Sequence, residues 1–209
     1  MPAHRFCDEF DGGFGWVIEE KLCRASHALA VGGGVWLVDP VDVAGLDDRI
    51  AALGEPRGVI QLIDRHGRDS AALAERLGVR HHHVPFDGIP DAPFDFVRIV
   101  SFPGWREVAL WWPEERTLVA GDAVGTLPYF REQDARIGVH PALRLTPPHG
   151  LRRFEPLHVL CGHGEGIHGD GVAEELKSVL DRSRRAIPAV WLNGWRWVRG
   201  RDYTGRRVR

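Results

Sequence analysis

Short apolar or alternating runs separated by glycine and polar breaks occupy residues 14–20, 26–31 and 34–39, and this period of two predicts antiparallel strands. Over 42–53 the spacing changes. Val43, Leu46, Ile50 and Leu53 recur three and four apart, with Asp42 placed to cap and Gly54 to stop, which predicts an amphipathic helix. The next run, Val59-Ile60-Gln61-Leu62-Ile63, is short and β-branched and predicts a buried strand. It stops in Asp64-Arg65-His66-Gly67-Arg68-Asp69, where only the glycine is not ionisable. A helix is predicted over 70–78, with Asp69 as its N-cap and Gly78 as its stop.

The second half repeats the style. A strand near 79–84 and a proline-rich loop over 85–93 lead into strands over 94–102, 107–112 and 116–120, with 113–115 as a tight connection. From 125 to 156 periodicity is weak and prolines recur at 128, 141, 147, 148 and 156, which predicts an extended insert with one short helix. A buried strand over 157–160 and a helix over 171–187, capped by Asp170, complete the pattern. Strands, helix, strands, helix suggests two similar halves packed together.

At 209 residues and 44% hydrophobic content, the chain suits one domain, 1–209, with a sizeable core. The net charge of −2 gives no global reason to expect a nucleic-acid partner, although residues 196–209 carry six arginines against one aspartate. Three cysteines, Cys7, Cys23 and Cys161, with no Cys-X-X-Cys spacing exclude a disulfide framework and a cysteine zinc knuckle. Residues 1–9 lack an apolar signal core, and no apolar run approaches the roughly 20 residues needed to span a bilayer. The expectation is a soluble, cytoplasmic protein with no membrane partner.

Four places combine a strand end with groups that can carry chemistry: 64–69, Phe102-Pro103-Gly104-Trp105, Gly121-Asp122-Ala123-Val124, and Cys161-Gly162-His163-Gly164 running on to Asp170. In order and spacing they resemble the metallo-β-lactamase superfamily, whose first motif is His-X-His-X-Asp-His, followed by a later His, a bridging Asp and a final Gly-His-Gly. The resemblance spans nearly the whole chain, including Gly33-Gly34-Val35-Trp36-Leu37-Val38-Asp39-Pro40 and the helix after it. It implies an α+β fold, a four-layer αββα sandwich of two mixed sheets with helices outside and the site at one edge.

Laid on the family's first motif, Asp64 takes the first His position, His66 keeps the second, Arg68 replaces the Asp, and Asp69 replaces the last His. The third family His is Trp105 here, and indole has no lone pair to give a metal. His66, Asp122 and His163 survive. The resemblance therefore implies a metal centre that has decayed, a protein lacking two-zinc hydrolysis that binds an unidentified small-molecule ligand or a partner instead. Arg68 is the most damaging change, since two like charges about 4 Å apart repel by about 4 kcal/mol at an effective dielectric of about 20, and a divalent ion doubles that. Arg65 or Arg68 would supply, by bidentate pairing, the positive charge that three aspartates need.

The alternative within the same resemblance is a single-metal hydrolase of an ester, thioester, lactone or amide. Asp64, His66, Asp122 and His163, with Asp69 as a fifth candidate, would hold zinc, manganese or iron, and Arg65 or Arg68 would stabilise the oxyanion. A third reading is a structural homodimer built on Trp191, Trp195 and Trp197. Bland explanations stand beside the sharp ones: Asp69 as a cap, His66 as a core histidine, and His81-His82-His83 as strand residues of which only two can share a face.

Overall fold

The computed structural model describes residues 1–132 and 134–188. Six strands form one sheet in the order β1-β2-β3-β4-β5-β6: His4–Phe10, Gly13–Ile18, Ala25–Val31, Gly34–Val38, Glu55–Gln61 and Arg80–His83. The first four pair antiparallel, while β4, β5 and β6 run parallel. Helices α1 (Leu46–Leu53) and α2 (Ser70–Leu77) make the crossovers that parallel neighbours require. The second sheet is ordered β13-β12-β9-β8-β7, from Ile167–His168, His158–Cys161, Thr117–Ala120, Trp105–Trp112 and Asp95–Phe102. It too is mixed, since β12 runs parallel to β9 and the other pairs are antiparallel.

Alternation along the strands explains the layering. In β4, Val35 and Leu37 pack outward with Leu46, Ile50 and Leu73 of the helices, while Trp36 and Val38 face the other sheet. In β12, Leu160 enters that inter-sheet core and Val159 and Cys161 face outward with Leu176, Val179 and Leu180 of α3 (Val172–Arg182). Successive strand residues point to opposite faces, so strands this apolar must be covered twice. The result is the expected helix, sheet, sheet, helix order.

Several expectations shift at the edges. Strand β1 was not anticipated, because His-Arg-Phe-Cys-Asp-Glu-Phe mixes polar and apolar residues without a clean period. Helix α1 starts at Leu46 behind Gly45 rather than at Asp42, whose carboxylate pairs with Arg76 at 2.6 Å. Asp69 precedes α2 as expected but does not cap it with its side chain, which accepts the Asp42 N–H at 2.8 Å. Gly171, not Asp170, precedes α3, and that helix ends at Arg182. The insert holds two short 3-10 turns, Pro141–Leu143 and His149–Arg153, and the small hairpin of β10 (Val124–Gly125) with β11 (Gly138–Val139). Among the described residues no helix is long and apolar enough to cross a membrane. Trp191, Trp195, Trp197 and the arginine-rich segment lie outside the described residues.

Leu110 sits at the centre of the inter-sheet core, fully buried with Trp36, Ile60, Val119 and Leu160 in its cluster. Leu110→Ala is expected to cost about 2–5 kcal/mol. Urea denaturation checks this, and a loss below about 1 kcal/mol would mean that the two sheets are not in close contact there.

Candidate metal centre

The chain after β5 crosses from one sheet to the other. Ile63 bridges to Glu107 of β8, and the backbone N–H groups of Asp64 and Val108 bond to Arg106 and Leu62 carbonyls at 3.1 and 2.9 Å. The loop after β12 makes the matching link, with Ala25 N–H on the Gly162 carbonyl and Arg24 bridged to His163. These two joints bring residues 64–69 and His163 together above the loop that follows β9. Gly162 is required there: a Cβ would lie 2.7 Å from the Gly121 carbonyl oxygen and 3.0 Å from His66 Cε1.

His66, Asp122 and His163 converge, with one ligand atom from each within 4.8 Å of the others. His66 Nε2 lies 3.1 Å and His163 Nε2 3.2 Å from Asp122 Oδ1. The partners behind the rings fix their tautomers. His66 Nδ1 lies 3.0 Å from Asp39 Oδ2, and His163 Nδ1 lies 2.7 Å from the Leu22 carbonyl oxygen. The carboxylate and the carbonyl can only accept, so each Nδ1 turns its proton to them and each ring turns Nε2 to Asp122; Arg68 Nη2 also lies 3.3 Å from His66 Nδ1. Asp122 Oδ1 is buried and receives no directed hydrogen bond.

Three acceptors that face one another repel unless a cation or protons lie between them. An ion bonded at about 2.0–2.1 Å would set tetrahedral ligand edges at about 3.3 Å, close to the two separations of 3.1 and 3.2 Å from Asp122 Oδ1. The imidazoles are oriented from behind as metal-ligating histidines usually are. The donor set therefore fits one divalent ion. Protons compete for the same space. Burial and Arg68 depress the His66 pKa, but the adjoining carboxylates of Asp122 and Asp39 outweigh them and raise it. Burial likewise favours neutral Asp122, yet His163 and His66 hold its carboxyl below the usual range.

The other expected residues have separate tasks. Asp64 stands outside the converging set, with a buried Oδ1 that has no partner, and Asp69 is committed to the Asp42 N–H. The structure does not bring these two carboxylates into the group formed by His66, Asp122 and His163. Arg68, at φ 41°, sends its guanidinium behind His66 onto the carbonyls of Ala25, Asp39 (2.8 Å) and Gly162 (2.8 Å). It braces the floor behind His66 and does not line the cleft beside Asp122. Arg65 is the arginine that pairs with Asp122, through Nη2 at 2.9 Å and Nε at 3.3 Å to Oδ2. Among the triple histidines, His81 Nε2 meets Gln61 Oε1 at 3.1 Å, away from the centre.

Three residues escaped notice in the sequence. Asp39, at φ 45°, accepts the Leu62 N–H at 2.8 Å through one oxygen and holds His66 through the other. Glu107 is fully buried and accepts Asp122 N–H at 3.0 Å, Ala123 N–H at 2.9 Å and the Trp105 indole N–H at 2.9 Å. A lone carboxylate inside the apolar strand Trp-Arg-Glu-Val-Ala-Leu-Trp-Trp was the available signal. His140 lines a cleft of about 450 Å³ with Leu22, Arg65, Asp122, Leu127, Tyr129, Phe130 and His163. A larger hollow of about 650 Å³, between the insert and α3, lies away from these groups.

Burial, then the charge of Asp122, pushes the Glu107 carboxyl up to about 7, against the N–H donors that favour its ionised form. A carboxyl with its folded pKa above the unfolded value takes up a proton on folding. Its stabilisation is full below about 4.5 and is lost as pH rises through about 7, a swing of about 3 kcal/mol. Denaturation at pH 5 and pH 8 should show this slope in the native chain and a flatter one in Glu107→Gln; equal slopes would assign the effect to another group.

No protein-family model matches the chain, and no curated protein matches it. Solved structures do. The DIM-1 metallo-β-lactamase exposed to ceftazidime is similar at 14% identity and TM-score 0.58, covering 87% of this chain and 98% of that one. The mono-zinc form of the metallo-β-lactamase FIM-1 from Pseudomonas aeruginosa follows at 13% identity and TM-score 0.53, covering 88% and 97%. The apo chemotaxis sensor ODP from T. denticola, at 14% identity and TM-score 0.52, covers 87% of this chain and 93% of its own. Identity this low speaks for architecture alone, and with the layer order observed, the chain has the metallo-β-lactamase fold.

Proposed function

We propose that the chain is a hydrolase-like protein whose two-ion centre has been reduced to one three-ligand position, so that it hydrolyses an ester, thioester, lactone or amide with a single ion or not at all. The observation that carries this reading is the convergence of His66 Nε2 and His163 Nε2 on the buried, undonated Oδ1 of Asp122. When bound, a zinc, manganese or iron ion would lower the pKa of a water and polarise a carbonyl oxygen. The chain's own residues do the rest. Asp39 and the Leu22 carbonyl aim the imidazoles, Glu107 fixes the Asp122 backbone, and Arg65 covers the other oxygen of Asp122.

A second ion has no place in this reading. Trp105 stands where the resemblance puts the third histidine, and its ring lies under the Arg65 guanidinium at 4.0 Å. Arg65 thus supplies a fixed positive charge at the flank of Asp122 that a second cation would need. The same pairing supports the competing reading, a metal-free protein that binds a small molecule or a partner, with the Arg65 guanidinium serving as the cation on Asp122.

Elemental analysis after dialysis and separate soaking in zinc, manganese and iron decides between them. One ion per chain, lost in the Asp122→Ala, His163→Ala double variant, is expected; two per chain or none would overturn the single-ion reading. Removing the competing cation in Arg65→Gln should tighten zinc binding at least about tenfold, since each tenfold corresponds to about 1.4 kcal/mol and charges this close interact by several. A chelator competition titration measures it, and weaker binding in the variant would show that Arg65 supports the ion rather than opposing it.

A further inference from the structure

We propose that the cleft beside Asp122 binds a small monocarboxylate with an apolar body, its carboxylate received by the outer edge of the Arg65 guanidinium. This rests on the reading of that cleft as the ligand side of the reduced centre. Arg65 is built as a recognition group. Its Nε and Nη2 both bond to Asp122 Oδ2, its face lies on Trp105 at 4.0 Å, and the Trp105 indole N–H is fixed to Glu107 at 2.9 Å. Held at one edge and on one face, the side chain is still 42% exposed. Among the described residues, no protein group meets Nη1. The edge formed by Nη1 and the second Nη2 proton presents two parallel N–H donors, the fork that a carboxylate accepts in bidentate fashion. Little ordering remains to be done when a ligand arrives.

The rest of the cleft selects the body of the ligand. Leu22, Leu127, Tyr129 and Phe130 give it an apolar and aromatic wall. His140 closes one end against Trp105, with ring centroids 4.7 Å apart. Its Nδ1 accepts the Ala142 N–H at 3.1 Å, so its proton is on Nε2, which has no partner among the described residues. That single neutral donor adds to the guanidinium edge without adding charge. A volume of about 450 Å³ lies in the lower half of the range for small-molecule sites. A phosphate dianion fits less well, because its further oxygens and second charge would face the Asp122 carboxylate with no additional donor to receive them.

Isothermal titration of the full chain after EDTA dialysis tests this apart from the metal question, with 4-phenylbutyrate as the anionic probe and 4-phenylbutyramide as its neutral counterpart. Saturable binding of the acid is expected, at least tenfold tighter than the amide and at least tenfold weakened in Arg65→Gln, with Arg65→Lys retaining part of it. Equal affinities for acid and amide on the native chain, unweakened binding to a folded Arg65→Gln, or no saturable binding of the acid would each overturn the proposal. Failure of the single-ion reading would register instead in the elemental analysis, since this titration uses chelated protein.

Discussion

Strand β5 is apolar on both faces, and the architecture depends on that. Val59 packs under the helices while Ile60 and Leu62 enter the space between the sheets, and Ile63, one step further, joins the second sheet at Glu107. A strand buried on both sides cannot end in water without first satisfying its last backbone groups. Asp39 does so for the Leu62 N–H, and its second oxygen then holds His66. The demands of the fold and the aim of a site residue are met by one carboxylate.

Charge at the site is arranged in two tiers. Behind the imidazoles, Arg68 satisfies three carbonyls and keeps Asp39 company in a buried floor. In front, Arg65 lies between Trp105 and Asp122, where it is both paired and exposed. A charge taken out of water needs partners, and the two arginines find theirs for different ends. One stabilises the loop that carries His66; the other occupies a flank of the aspartate on which the imidazoles converge.

Much of this was legible in the residues. Period-two runs located most of the core strands, and the apolar spacing of Leu73 and its neighbours located α2 between Asp69 and Gly78. Where helices began was less legible, because Asp42 and Asp69 look like caps but are drawn into contacts 27 or more positions away in sequence, with Arg76 and with one another. Strand β1 has no clean alternation because Asp8 faces inward to the Gly166 N–H and to His168 rather than to solvent.

The sequence by itself determined most strands and α2, because alternation and apolar spacing are local properties, and its strand-end motifs carried the resemblance that implied the layer order and singled out His66, Asp122 and His163. The same resemblance put Arg68 and Trp105 at positions where ligands are expected. Only the tertiary structure decided which arginine meets Asp122, that Asp64 and Asp69 stay out of the centre, and that Glu107 and Asp39 support it. The physical reason is that hydrogen-bond direction, burial and the approach of one guanidinium rather than the other to Asp122 depend on loops brought together from two sheets, and no spacing along the chain encodes the direction in which a side chain leaves a turn.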